Sequence, residues 1–161
     1  MKKTHLKAVC FLTLLASLVS GGCLFQRTST SEYWIEKAMK YEMTERYDHA
    51  AKAYTRALEI DPKNENLYFF RAEAHTKNGD WKTGIADYTR AIRINPKNVL
   101  LYYSRGLAYL ETEEYAKVIR DAKKARDIDP ANYQMFLTDM KSEITKRKNG
   151  NNRNNRNNRN N

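Results

Sequence analysis

Residues 65–98 read ENLYFFRAEAHTKNGDWKTGIADYTRAIRINPKN, and the same pattern lies on both sides of them. Pro62, Pro96 and Pro130 stand 34 residues apart, in Ile60-Asp61-Pro62, Ile94-Asn95-Pro96 and Ile128-Asp129-Pro130. Laying 31–64, 65–98 and 99–132 over one another gives further columns. Trp34, Tyr68 and Tyr102 share the fourth place. Tyr47, Trp81 and Tyr115 follow, each thirteen residues later. Small residues recur at Ala38, Ala72 and Gly106, and alanine at Ala57, Ala91 and Ala125. A fixed period of this length marks a repeat architecture, in which each unit buries its apolar face against its neighbours.

Within a unit the periodicity is helical. In 31–44, Trp34, Ile35, Ala38, Met39 and Tyr41 recur at helix spacing. In 48–60, Ala50, Ala51, Ala53, Tyr54, Ala57 and Leu58 do the same. Two antiparallel helices need small residues where they approach, and Ala38 and Ala50 provide that room. Asn78-Gly79-Asp80 closes one helix and opens the next. Gly79 suits a left-handed cap, and Asp80 is expected to cap the new N-terminus. Proline after Asp or Asn ends each second helix, because the residue before proline avoids the helical region. About three hairpins are the minimum for a stable stack, which also needs a polar-faced terminal element. Tyr133, Phe136, Leu137, Met140 and Ile144 fall at helix spacing, so 132–148 reads as a capping helix.

The three units resemble the tetratricopeptide repeat, over about 102 of the 161 residues. The resemblance implies an all-α, right-handed helical-hairpin solenoid of three repeats plus the C-terminal capping helix, spanning 31–148. Departures stand out. Lys37, Arg71 and Arg105 replace the leucine usual at the seventh place. His75 replaces an aromatic, and by the resemblance faces the hairpin interior. Val118 and Ala122 stand where a small and a bulky residue are usual, which makes the third unit's packing the most irregular.

The resemblance also implies a binding face, made by the first helix of each pair at the second, fifth, ninth, twelfth and thirteenth places. The apolar subset there is Ile35, Met39, Met43, Phe69, Leu100, Tyr103 and Leu107. Some family members grip a terminal carboxylate with lysine and asparagine in this groove, but Ile35 and Met39 occupy those places here. The expectation is an apolar groove taking a helix or an extended segment, with Met39 and Met43 able to re-pack. The competing reading is that these side chains fill the interior of a tightly wound, short stack, or bury against the chain's own tether.

The net charge of +10 has to be located before it is interpreted. Residues 31–140 hold 18 basic and 18 acidic side chains, so the repeat region is neutral. The excess sits in 1–27 and in 141–161. Both cysteines, Cys10 and Cys23, precede the repeats, which excludes a disulfide framework and a thiolate metal site there. His5, His49 and His75 show no metal-ligand spacing.

The N-terminus carries Lys2, Lys3 and Lys7, then the apolar run 8–19, then Ser20-Gly21-Gly22-Cys23. This is the layout of a signal peptide over 1–22. Twelve residues of helix span roughly 18 Å, short of a ~30 Å hydrocarbon core. Small residues directly before Cys23 resemble the lipobox of bacterial lipoproteins, which implies cleavage before Cys23 and its acylation, with palmitate among the chains added. The leucine usual three places before the cysteine is Ser20 here. An ordinary signal-peptidase cut near Gly22 is the alternative. Residues 23–30 read as a tether. Residues 149–161, Asn-Gly followed by Asn-Asn-Arg repeats, cannot bury a core and are expected to be disordered. That tail is either an electrostatic contact to anionic surfaces or a solubilising extension.

These readings place the chain as a scaffold or adaptor of the bacterial cell envelope. It would be lipid-anchored to a membrane, facing the periplasm or exterior, with proteins or peptide segments as partners. A secreted or periplasmic adaptor without lipid is the alternative, and a second copy of the chain stays open as a partner. A nucleic-acid-associated protein using its basic tail is the lesser alternative, disfavoured because the tail has no aromatic for base stacking. No enzyme activity, cofactor or metal is expected, because no nucleophile set, phosphate loop or ligand cluster appears.

Overall fold

The computed structural model describes residues 30–157, with side chains for 30–131 and 133–149. The expected signal peptide, Cys23, all but the last residue of the tether, and the last four residues of the tail lie outside the described residues. Among the described residues there are seven helices and no strands. They run α1 (Ser31–Glu42), α2 (Tyr47–Ile60), α3 (Glu65–Lys77), α4 (Trp81–Ile94), α5 (Val99–Glu111), α6 (Tyr115–Ile128) and α7 (Pro130–Asn157). Each helix packs on its neighbours in sequence, so the chain is a linear stack of antiparallel hairpins. The all-α repeat fold is as the sequence implies.

The first helices start on a column that the repeat pattern contains but the apolar spacing hides. Thr30, Asn64 and Asn98 are the N-caps of α1, α3 and α5, and their side chains accept from Tyr33, Asn66 and Leu100 backbone N–H groups. Each cap satisfies a donor that the helix leaves open. The turn inside each hairpin closes alike. Arg46 N donates to Tyr41 O at 2.9 Å, Asp80 N to His75 O at 2.8 Å and Glu114 N to Tyr109 O at 2.9 Å. These are Schellman closures, which need a left-handed residue. Gly79 supplies it at φ 87°, as expected, while Glu45 and Glu113 hold φ 55° and 58° without being glycine. The expected side-chain cap by Asp80 is corrected. Asp80 stands at the N-cap of α4, but its carboxylate accepts from Asn78 Nδ2 at 2.8 Å and caps nothing.

Between units, the fourth-place tyrosines tie each new hairpin to the preceding proline loop. Tyr68 Oη donates to Pro62 O at 3.2 Å, and Tyr102 Oη to Pro96 O at 3.0 Å. Inside the hairpins Ala38 and Ala50 are fully buried, as close packing requires. The second hairpin is tighter still. A Cβ on Gly84 would lie 2.5 Å from Thr76 Cγ2 and 3.1 Å from Ala72 O.

The third unit is irregular in residue choice yet closed in packing. Val118 and Ala122 are both fully buried. Ala122 stands where the first two units have Tyr54 and Tyr88, and Phe136 of α7 joins Ala122 in one core cluster. Phe136 also approaches Gly106, where its Cζ would be 3.4 Å from a Cβ. α7 is therefore the capping helix, but its bounds differ from the expected 132–148. It begins at Pro130, where proline's missing N–H costs nothing in a first turn. It continues to Asn157, so 149–157 are helical where a structureless tail is expected. No proline follows Pro130 to stop it, and arginine is a good helix former. Among the described residues no helix is long and apolar enough to cross a membrane.

Candidate functional site

The first helices α1, α3 and α5 carry six of the seven side chains expected on the binding face, Met43 being the C-cap of α1, and the structure divides them. Met39, Met43 and Leu100 are exposed, at 55%, 85% and 43%. Ile35 is half-buried against the core of the first hairpin. Phe69 is half-buried, its ring 6.0 Å from that of Tyr88. Tyr103 and Leu107 pack against the cluster of Phe136 and Leu137, with the Tyr103 and Phe136 rings 4.5 Å apart. The interior-filling alternative thus describes part of the set and the open-face reading the rest.

Tyr103 and Leu107 come together in one hollow of about 420 Å³, lined also by Glu73, Thr76, Trp81, Tyr88, Ser104, Ala108 and Glu111. Ile35, Met39, Met43, Phe69 and Leu100 do not line it. Apolar spacing alone could not reveal this hollow, because its walls come from α3, α4 and α5 together.

The same face is acidic. Its expected contact places carry Glu32, Glu42, Glu73 and Glu111 against a single base, Lys77. Two of the carboxylates are held by tyrosines from the second helices. Tyr54 Oη donates to Glu42 Oε2 at 3.4 Å, and Tyr88 Oη makes a short hydrogen bond to Glu73 Oε1. Burial, reinforced by these carboxylates, pushes both phenols well above the ordinary tyrosine range. Glu111 is held by Arg147 of α7, whose Nη2 lies 2.9 Å from Glu111 Oε1 and whose Nε lies 3.0 Å from Glu143 Oε1. The apolar subset of the expected binding face leaves these glutamates out, although they stand at the same repeat places.

A second set of polar residues lies between the hairpins. Arg71 Nε and Nη2 donate to the two oxygens of Asp87 at 2.7 and 2.8 Å, and Arg71 Nη1 donates to Thr55 Oγ1 at 3.0 Å. Arg105 repeats this with Asp121 and Thr89. The seventh-place arginines are thus structural ties between successive units. His75 is half-buried, at the edge of the interior. It stands beside Arg71, Asp87 and Arg90 at a shallow hollow, its Nδ1 3.9 Å from Asp80. Among the described residues no group of three or more His, Cys, Asp or Glu could hold a metal ion. The face offers surface and charge for binding.

Comparisons agree with this architecture. A family model for the TPR repeat matches residues 72–112, and one for the tetratricopeptide repeat matches residues 31–64. The chain carries tetratricopeptide repeats. No curated protein matches it. Among solved structures it is similar to the first TPR of Spaghetti (RPAP3) bound to the HSP90 peptide SRMEEVD. That match has 23% identity, covers 72% of this chain and 94% of that one, and has a TM-score of 0.65. The Arabidopsis OM64 TPR domain matches at 25% identity, 75% and 98% coverage and a TM-score of 0.65. The Yersinia enterocolitica type III secretion chaperone SycD, in complex with a peptide of the translocator YopD, matches at 16% identity. Coverage there is 73% and 93%, with a TM-score of 0.64.

Proposed function

We propose that this tetratricopeptide-repeat chain is a protein-binding adaptor of the bacterial cell envelope, lipid-anchored through Cys23, that holds a partner segment against α1, α3 and α5. The observation that carries the binding part is the exposure of Met39 and Met43, one helical turn apart at the end of α1, with Leu100 exposed on α5. Large apolar side chains left in water on one face mark an interaction surface when they lie together. Methionine adds adaptability, since its unbranched thioether re-packs around different partners. Peptides held by Spaghetti and by SycD support the use of the same fold for segment binding.

The charge argues against one kind of segment. The Spaghetti peptide ends in Glu-Glu-Val-Asp. Here Ile35 and Met39 stand where a carboxylate grip would need lysine and asparagine, and the face bears four glutamates. An acidic terminus would meet like charge, so the partner segment is apolar and is not acidic.

A photocrosslinker at Phe69 in living cells tests the binding part. The expected result is one envelope protein captured by the parent and lost in the Met39→Asp, Met43→Asp double variant. Capture of nothing, or capture indifferent to those substitutions, counts against it. The anchor is supported by the lipobox-like Gly21-Gly22-Cys23. Labelled fatty acid incorporated by the parent and absent from Cys23→Ser is the outcome that fits. No incorporation in either leaves the non-lipidated secreted adaptor, cut near Gly22.

A further inference from the structure

The two junctions between units differ at one place. Sixth-place residues sit on the first helix of a unit, beside the preceding unit. At the first junction that residue is Phe70, whose ring stacks on Tyr54 with centroids 5.8 Å apart and planes at 21°. At the second junction Tyr88 takes the place of Tyr54, and the sixth-place residue is Ser104. Tyr88 is as buried as Tyr54, but serine leaves open the volume that a phenylalanine ring at its place would fill. The 420 Å³ hollow opens there, with Tyr88 and Ser104 both in its wall.

Its chemistry is specific. Trp81 and Tyr103, both half-buried, offer aromatic surface, Leu107 is apolar, and Glu73 and Glu111 bring carboxylates. A side chain with an apolar stem and a planar cationic head meets all of these at once. Its stem replaces water against Leu107, its face lies on aromatic rings, and its N–H fork meets carboxylate oxygens. A compact ammonium satisfies the carboxylates but not the flat walls. An acidic side chain is repelled. The molecule itself shows that Glu111 accepts a guanidinium, since Arg147 already lies 2.9 Å from it. We infer that the hollow between the second and third repeats receives an arginine side chain of the bound partner segment, at the place where the first junction carries Phe70. This rests on the reading that the face of the first helices holds a partner segment, and it names the residue that anchors it.

The test uses the full chain in detergent as bait for a phage-displayed library of random peptides. Selected peptides carry an arginine, and changing that arginine to glutamine weakens binding at least about tenfold. Ser104→Phe fills the hollow with the ring present at the first junction, and Glu73→Gln removes charge while keeping shape. Both weaken the arginine peptides by a similar factor with the circular dichroism spectrum unchanged. Peptides that prefer lysine equally, or that carry no basic residue, overturn the inference. So does binding that is lost in Phe69→Ala but untouched by Ser104→Phe and Glu73→Gln, which leaves the face as the binding site. Binding indifferent to all three variants, or selection of no peptide, overturns both readings.

Discussion

The Arg105 guanidinium lies against the Asp121 carboxylate in a paired geometry, Nε to Oδ2 at 2.7 Å and Nη2 to Oδ1 at 2.9 Å. Its remaining Nη1 crosses to Thr89 of the preceding unit at 2.9 Å. Arg71 makes the same three bonds one unit earlier. Each arginine therefore joins the two helices of its own hairpin and the second helix of the hairpin before it. A leucine at this place would contribute packing alone. The arginine adds direction, since a slip between units breaks a hydrogen bond to a nearly buried group.

Removing Arg105 leaves Asp121 as a buried charge with its strongest partner gone. Arg105→Ala is expected to cost about 3 kcal/mol, because an unpaired buried carboxylate is costly. Removing both charges is expected to cost much less, since a buried pair is offset by its own desolvation. The double variant Arg105→Leu, Asp121→Ala tests this with the leucine usual at the seventh place and the residue that the first unit carries as Ala53. Urea denaturation of the four proteins in the cycle gives the answer. A double-variant loss equal to the sum of the two single losses would show that the pair contributes nothing beyond packing.

The left-handed turns give an independent check on the hairpin closures. Glu45 and Glu113 hold positive φ, which costs a side-chain-bearing residue about 1 kcal/mol relative to glycine. Glu113→Gly should therefore stabilise the chain by up to about 1 kcal/mol, and Gly79→Ala should destabilise it by a similar amount. Nothing lies within 4 Å of a Cβ at Gly79, so that loss would be purely conformational. Thermal melts of both variants measure it. A Glu113→Gly melt at or below that of the parent would mean that the glutamate side chain has compensating contacts.

The hairpins are legible in the sequence because their packing is local. Proline, the fourth-place aromatic and the small residues recur at a period that any unit repeats. What joins the units is harder to read. Arg71 looks like a missing leucine until it is compared with Asp87 and Thr55 together. The first unit, with Lys37 and Ala53, lacks the pair. The apolar side chains of the expected binding face can be read from their places in the repeat, but their exposure depends on neighbours. Tyr103 is half-covered because α7 lies over it, and Met43 is open because nothing among the described residues covers it. The hollow was invisible for the same reason. A serine at one place means nothing until the phenylalanine at its equivalent is seen to stack across a repeat boundary.

Phe136 decides whether the third unit is finished by α7. It is 7% exposed and belongs to the cluster of Tyr102, Ala122 and Leu137. Phe136→Ala is expected to cost about 3 kcal/mol, the usual loss on emptying a buried phenylalanine site. The loss should appear first in α5–α7, since stacks open from their ends. Hydrogen exchange followed by mass spectrometry reads this directly. Faster exchange in α5–α7 with α1–α3 unchanged is the expected pattern, and uniform acceleration along the chain would show that α7 supports the whole stack equally.

The tyrosine–glutamate pairs set an alkaline limit to stability. Burial, and then the carboxylates of Glu42 and Glu73, raise Tyr54 and Tyr88 above the ordinary value of 10.0. Below that value both phenols are neutral in the folded and unfolded chain, so their contribution is fully present. Above it the unfolded chain releases protons that the folded chain retains, so stability falls as pH rises toward the folded values. Urea midpoints should therefore hold up to about pH 10 and decline beyond it. Tyr88→Phe removes one of the two phenols. At neutral pH it should cost about 1 kcal/mol, for the lost hydrogen bond to Glu73. Above pH 10 its decline should be shallower than that of the parent, so the two curves converge. Parallel curves across that range would mean that Tyr88 ionises equally in both states, and that Glu73 does not hold its proton in place.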